Sequence, residues 1–334
     1  MTKNMNAKFI ICLGAFVAVA ATTNITVNTL ERPKAKVTAR IVDENGKPIT
    51  DAHVRFAFSG AMDDTAVVKV EGTTDAQGEF IGEGHCRRDI GTSVTKDSYY
   101  ESTVNLPKFT EHKDGKWQPW NPICETILRP IGKPVALYAK TVQLQIPALD
   151  EPCGYDLEAS DWVSPYGKGM KKDFIFTIRE KWNGNYDFDL QGELTFKNPL
   201  DGLQEVAIPE IAKNSAFRWE RQAPENGYEP KQELRDAWFP SDSRKKPIRS
   251  YKSPDVWDGY FFRVRTVEQD GKIVSAHYGK IRGGITVYPD SKAGKPNVVF
   301  TYYFNPTPND RNLEWDTKRN LFSGLTDMET PREP

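Results

Sequence analysis

Histidine and cysteine are scarce in this sequence, with four of each in 334 residues. His53, His85, His112 and His277 are dispersed, and no two stand at ligand spacing. His85 and Cys86 are adjacent, but neighbours on a strand point to opposite faces, so the pair makes a poor metal cradle. There is no G-x-S-x-G elbow, no H-E-x-x-H, no C-x-x-C and no Walker loop, so no local signature of catalysis is present. Gly82-Glu83-Gly84 and Gly167-Lys168-Gly169 lack the third glycine and the βαβ context of a dinucleotide loop. Asn183, Asn185, Asp187 and Asp189 open like a calcium loop, but Phe188 occupies the obligatory glycine position and Leu194 the obligatory glutamate. No cofactor and no metal are expected.

An excess of one charge is also missing. Lys and Arg number 45 against 46 Asp and Glu, so there is no basic field for nucleic acid or anionic lipid. Long apolar runs are confined to Phe9–Ala21, which is preceded by Lys3 and Lys8 and contains Ala18-Val19-Ala20. That run is shorter than the ~20 residues of a bilayer span and has the layout of a secretory signal peptide. The expectation is a leader over Met1–Ala21, an extracytoplasmic mature chain in the periplasm, cell envelope or medium, and no transmembrane span after cleavage. Thr22–Pro33 is polar, without period, and reads as a spacer.

With Cys12 inside the leader, Cys86, Cys124 and Cys153 remain, and export permits disulfides. Cys86 and Cys124 fall in one expected domain and are the expected pair, although Cys124 and Cys153 close a loop of comparable length. The odd thiol would behave as a small buried hydrophobe.

What the chain does contain is strand periodicity and turn chemistry. Val37, Ala39 and Ile41 alternate with Lys36, Thr38 and Arg40; Asn45-Gly46 marks a turn; Val54, Phe56 and Phe58 then alternate with His53, Arg55 and Ala57. Asp75-Ala76-Gln77-Gly78 is a second turn, with Phe80 restarting the pattern. VTARIVDENGKPITDAHV at 37–54, TTDAQGEF at 73–80 and VTKDSYYESTVNL at 94–106 together resemble the carboxypeptidase regulatory-like module, a transthyretin-like, Ig-like β-sandwich. The resemblance spans Lys34–Leu106, with Ser98 where that family usually has glycine. It implies an extracytoplasmic accessory, structural or adhesive domain rather than a catalytic one.

Ile123–Leu128 is short and apolar and would close this sandwich, placing the domain over 34–132. The proline-rich junction before it carries Trp117 and Trp120, expected to wedge between the domains rather than to form a sugar platform. A second β-sandwich is expected over 133–325, with 326–334 a flexible tail. Its clearest alternation sets Tyr186, Phe188, Leu190, Leu194 and Phe196 against Asp187, Asp189, Gln191 and Glu193, with Asn183-Gly184 as the hairpin turn. A second hairpin turns at Asp270-Gly271, and further strands are read at 285–288 and 298–304. Only Pro209–Asn214 and Gln232–Trp238 are read as short helices. Ala223–Asp258 has five prolines and several large aromatics, so a long loop pinned by its rings is expected. GYDLEASDWVSPYGKG at 154–169 and YYFNPTPNDRNLEWDTKRNLF at 302–322 resemble segments of exported bacterial proteins that carry the same arrangement after a regulatory-like module; that resemblance brings no activity.

The fold class is therefore all-β, in two β-sandwich domains. The best candidate binding residues are Asp161, Trp162 and Tyr166, an acid and two aromatics in a glycine-containing loop, as sugar-stacking sites are often made. The competing reading is a structural loop with Trp162 plugging the core. Two functions follow: a non-enzymatic envelope or secreted protein recognising a polysaccharide or another envelope protein, or a carbohydrate-active enzyme whose paired carboxylates the sequence does not single out.

Overall fold

The computed structural model describes residues 32–60, 67–239, 248–252, 258–290 and 294–334. The expected leader with Cys12, nearly all of the expected spacer and the basic run Arg244-Lys245-Lys246 lie outside them. The chain is all-β, and two sandwiches follow one another along the sequence.

The first sandwich is built from β1 (Lys34–Val42), β2 (His53–Ser59), β3 (Val67–Thr73), β4 (Glu79–His85), β5 (Ile90–Thr95), β6 (Glu111–Lys113), β7 (Lys116–Gln118) and β8 (Ile123–Ile127). One sheet runs β4-β1-β7-β6 with β8 also on β1, and the other runs β3-β2-β5. Between them Val37, Ala39 and Ile41 meet Val54, Phe56 and Phe58, all without solvent exposure. The two turns share one device. Asp43 Oδ1 accepts from the N–H groups of Asn45 and Lys47, and Asp75 Oδ1 from those of Gln77 and Glu79, an Asx turn in each case. Gly78 has φ +73° and a Cβ there would sit 2.5 Å from the Ile41 carbonyl oxygen, so only glycine fits. β8 does close the sandwich, but parallel to β1, from Thr38 opposite Ile123 to Val42 opposite Ile127.

The second sandwich contains β9 (Tyr138–Gln145), β10 (Cys153–Asp156), β11 (Asp161–Trp162), β12 (Phe174–Gly184), β13 (Asp187–Thr195), β14 (Gly202–Val206), β15 (Lys231–Phe239), β16 (Ile248–Lys252), β17 (Gly259–Gln269), β18 (Lys272–Tyr288) and β19 (Asn297–Asn305). A six-stranded sheet, β11-β10-β12-β13-β15-β16, faces a five-stranded one, β14-β17-β18-β19-β9. Phe174, Phe176, Ile178, Leu190 and Leu194 meet Phe262, Val264, Phe300 and Tyr302 in the core. Asp270 (φ 51°) and Gly271 (φ 72°) make the expected tight turn. The expected strands 272–281 and 285–288 are one, β18, with its register irregular between Arg282 and Thr286.

Several expectations are corrected. Gln232–Trp238 is not helical; it is most of β15, paired with β13 from Thr195 opposite Lys231 to Phe188 opposite Trp238. Its residues favour helix, but a free edge of β13 offers a full ladder, and tertiary pairing overrides a weak propensity. The 223–258 segment is accordingly no long loop, because β15 and β16 extend the sheet. The β12–β13 turn is at Asn185-Tyr186 rather than Asn183-Gly184, with an irregularity at Trp182/Gly184. Residues 209–214 contain a single 3-10 turn, Glu210–Ala212. Trp117 does not wedge between domains; it is 6% exposed in the first core, and its indole N–H donates to the Cys86 carbonyl at 3.0 Å. Cys86 and Cys124 do not pair, and Cys153 is free as well; all three are buried thiols. Nor is the 326–334 tail loose. Thr141 N–H donates to the Glu329 carbonyl, Tyr303 donates to that of Glu333, and the Glu333 carboxylate takes Arg218 at 2.8 Å.

The sandwiches meet through a third apolar cluster in which Tyr100 packs with Phe217, Trp219, Phe261 and Leu313. Backbone bonds cross the same junction, Thr103 N–H to Asn214 O at 2.9 Å and Ala216 N–H to Glu101 O at 2.8 Å.

Candidate functional site

The sequence-predicted site does not assemble as a recognition surface. Trp162 is 7% exposed and sits edge-on to Tyr155 (5.5 Å between centroids) and Phe176 (6.0 Å), so it belongs to the second core. Asp161 is occupied locally. Its carboxylate accepts from its neighbour Trp162 N–H at 2.8 Å and from Lys168 N–H at 2.9 Å, which folds the loop back on itself. A Cβ at Gly167 would lie 2.3 Å from the Trp162 carbonyl oxygen, which makes that glycine a packing requirement. Tyr166 alone faces solvent, at 38% exposure, and its hydroxyl donates to Glu151 at 2.8 Å. Asp161 and Tyr166 thus flank a structural loop that Trp162 anchors. An aromatic next to an acid was a poor guide because the apolar ring had a core to enter.

Charge is concentrated beneath that loop. Arg265 makes a bidentate pair with buried Asp173 (2.8 and 2.7 Å) and reaches Glu158 at 3.0 Å. Burial raises the Asp173 carboxyl above its ordinary value, with Arg265 opposing. Burial pushes the neighbouring Asp156 the same way, but four backbone N–H groups (Glu158, Ala159, Met170 and Lys171) hold it below the usual carboxylate range. These charges are paired with one another and with backbone N–H groups, so the cluster fastens the loop to β17.

A ligand-sized depression lies on the outer face of the six-stranded sheet. Thr177 and Arg179 of β12, Gln191 and Glu193 of β13, Glu233 and Arg235 of β15 and Ser250 of β16 line a groove of about 440 Å³. Strand alternation puts them there: Phe176, Ile178, Leu190, Leu194 and Leu234 turn inward, so the residues between them turn out. Register then aligns them across the sheet. Thr177, Glu193 and Glu233 form one row, and Arg179, Gln191 and Arg235 the next.

One row is rich in acceptors and the next in donors. Lys231 bridges Glu193 at 2.6 Å, and Gln191 donates to Asp189 at 2.8 Å. Arg235 approaches Asp189 only at 3.5 Å, and Arg235 Nε and Asp189 Oδ1 are withdrawn from solvent without a hydrogen-bond partner. Such groups are uncommon in folded proteins, because burial without a partner costs about 1–3 kcal/mol. Glu193 and Glu233 are directly opposite, an arrangement of like charges that destabilises a sheet. The acids of β13 were visible in the sequence as one strand face; what sequence reasoning missed was β15, which supplies Glu233 and Arg235.

Among the described residues no three His, Cys, Asp or Glu side chains are grouped to hold a metal ion. No described helix is long and apolar enough to cross a membrane. No family model, no curated protein and no solved structure matches the chain.

Proposed function

We propose that this chain is an exported, non-enzymatic binding protein that holds a polysaccharide along the outer face of its six-stranded sheet. The observation that carries this reading is the groove with its ordered rows of hydrogen-bonding side chains, one of which, Arg235, keeps an unpartnered Nε. Hydroxyls of a sugar chain are matched to such rows because each can donate to a carboxylate and accept from a guanidinium or amide. Among the described residues no aromatic side chain lines the groove, so this reading rests recognition on hydrogen bonds rather than ring stacking. The leader-like Met1–Ala21 supports export. The resemblance of 34–106 to the regulatory-like module supports an accessory role for the first sandwich. The test is binding to a polysaccharide panel by calorimetry. Arg235→Ala and Gln191→Ala should each weaken binding about tenfold, the effect of one lost polar contact of about 1.4 kcal/mol. Absence of saturable binding across the panel would remove the reading.

One observation favours a second reading, a carbohydrate-active enzyme. Retaining glycosidases use two neighbouring carboxylates, and acids directly opposite on antiparallel strands, with Cβ atoms ~5 Å apart, are neighbours of that kind. Glu193 and Glu233 meet that condition on the groove wall. Against it, the Glu193 side chain is 49% exposed and tied to Lys231, so water is not excluded from it. Incubating the protein with any polysaccharide it binds, beside the Glu193→Gln/Glu233→Gln double variant, separates the two. Reducing ends released only by the unaltered protein would establish the enzyme.

A further inference from the structure

We propose a second, independent site: an oxyanion pocket in the first sandwich, fitted to a small ligand bearing phosphate, sulfate or carboxylate. A cavity of about 400 Å³ opens where three pieces of chain converge. These are the entry to β1 at Arg32 and Pro33, the β4–β5 connection at Arg87-Arg88-Asp89, and the β6–β7 hairpin with His112 and Trp117. Among the described lining residues three guanidinium groups and an imidazole stand with one carboxylate, Asp89. A depression with an excess of positive groups draws anions toward it, and the planar fork of a guanidinium matches an oxyanion with paired N–H donors.

The site is held in place before any ligand arrives. The β4–β5 connection is tied by Cys86 N–H to Pro33 O at 3.2 Å and Arg87 N–H to Ser59 O at 3.0 Å. The β6–β7 hairpin is set by register, with His112 opposite Trp117. The Trp117 indole is fixed by its bond to Cys86 and stands edge-on to His112 at 5.4 Å. Arg88 lies over the same ring at 5.9 Å, so its guanidinium is positioned although the side chain reaches solvent. Preorganisation of this kind reduces the ordering cost of binding.

The pocket also has a continuation. Arg88 and Asp89 line a second cavity of about 390 Å³, whose other walls include Leu106, Pro107, Lys108 and Phe109. Arg88 therefore stands on the ridge between a basic pocket and a more apolar one. A ligand with an anionic head and a ring or short chain behind it would use both.

Calorimetric titration of the mature chain with inorganic phosphate, inorganic sulfate and D-glucuronate, in separate experiments, tests this. Saturable binding by at least one is expected, and the one that binds tells whether the head group is phosphate, sulfate or carboxylate. Arg88→Ala, an exposed position whose loss leaves the core intact, should weaken it about tenfold. Arg179→Ala on the sheet-face groove should leave it unchanged, which separates this pocket from that groove. No saturable heat with any of the three anions, equal binding by Arg88→Ala, or equal weakening by Arg179→Ala would each overturn the proposal.

Discussion

Tyr100 of the first sandwich donates its hydroxyl hydrogen to Glu314, 214 residues further along, at 3.0 Å in the buried junction between the two cores. Glu314 is 1% exposed and also accepts the N–H groups of Gly132 (2.7 Å) and Lys133 (2.8 Å), the two residues that link the sandwiches. Burial and the neighbouring carboxylate hold the Tyr100 phenol in its protonated, donating form. One carboxylate thus gathers the linker, the first domain and the C-terminal segment.

The first prediction follows from that gathering. Tyr100→Phe removes one donor and should cost about 1–3 kcal/mol in urea unfolding. Glu314→Ala removes the acceptor of the buried Tyr100 hydroxyl and of two part-buried backbone N–H groups at once and should cost about 3–5 kcal/mol, with faster protease cleavage near residues 131–133. A cost for Glu314→Ala no larger than that for Tyr100→Phe would show that the carboxylate does not hold the linker.

Lys280 makes the junction sensitive to pH. It has no solvent exposure, its Nζ has no hydrogen-bond partner, and it lies over Phe217 (4.9 Å), Trp219 (5.7 Å) and Tyr303 (4.8 Å). Burial, with Arg129 and Arg282 adding to it and Glu314 opposing, pushes its amine down to about 7. Between about 7 and the ordinary lysine value the unfolded chain binds a proton that the folded chain does not, so stability rises with pH across that window. Below it the folded amine is charged and the full penalty applies, of the order of a few kcal/mol. Lys280→Met keeps the stem and removes the charge. The variant should melt above the parent near pH 6, with the gap closing toward pH 10; a gap independent of pH would refute the titration.

Trp162 offers a simpler test. As a core residue its replacement by alanine should cost about 3–5 kcal/mol and lower the melting temperature by many degrees. A variant as stable as the parent would return Trp162 to the surface and to the list of binding residues.

The cysteines are predicted to behave as inert thiols. Burial, with Asp89 nearby, pushes Cys86 up to about 11, and burial does the same to Cys124; Cys153 is also raised. The folded protein should react slowly with a thiol reagent at these three positions, and the denatured protein should react at all three without prior reduction. A labelling count of one in unreduced, denatured protein would establish a disulfide instead.

Local signals were legible where physics is local. Alternation at 37–41, 54–58 and 188–194 named both cores, and Asn45-Gly46 and Asp75-Ala76-Gln77-Gly78 named two turns, because side-chain direction and turn φ depend only on near neighbours. Asp270-Gly271 was readable for the same reason. The all-β class and the closing strand at 123–127 were therefore present in the sequence itself.

Tertiary structure alone decided the rest. Whether Gln232–Trp238 became strand or helix depended on the unpaired edge of β13, 36 or more residues away in the chain, and not on its own composition. Whether Trp162 met a ligand or a core depended on Tyr155 and Phe176 being there to receive it. The groove required β13 and β15 to lie side by side in one register, since only then do Gln191 and Arg235, or Glu193 and Glu233, share one groove wall. Long-range pairing sets those neighbours, and the energy that selects it is summed over the whole sheet, so no short stretch of sequence could announce it.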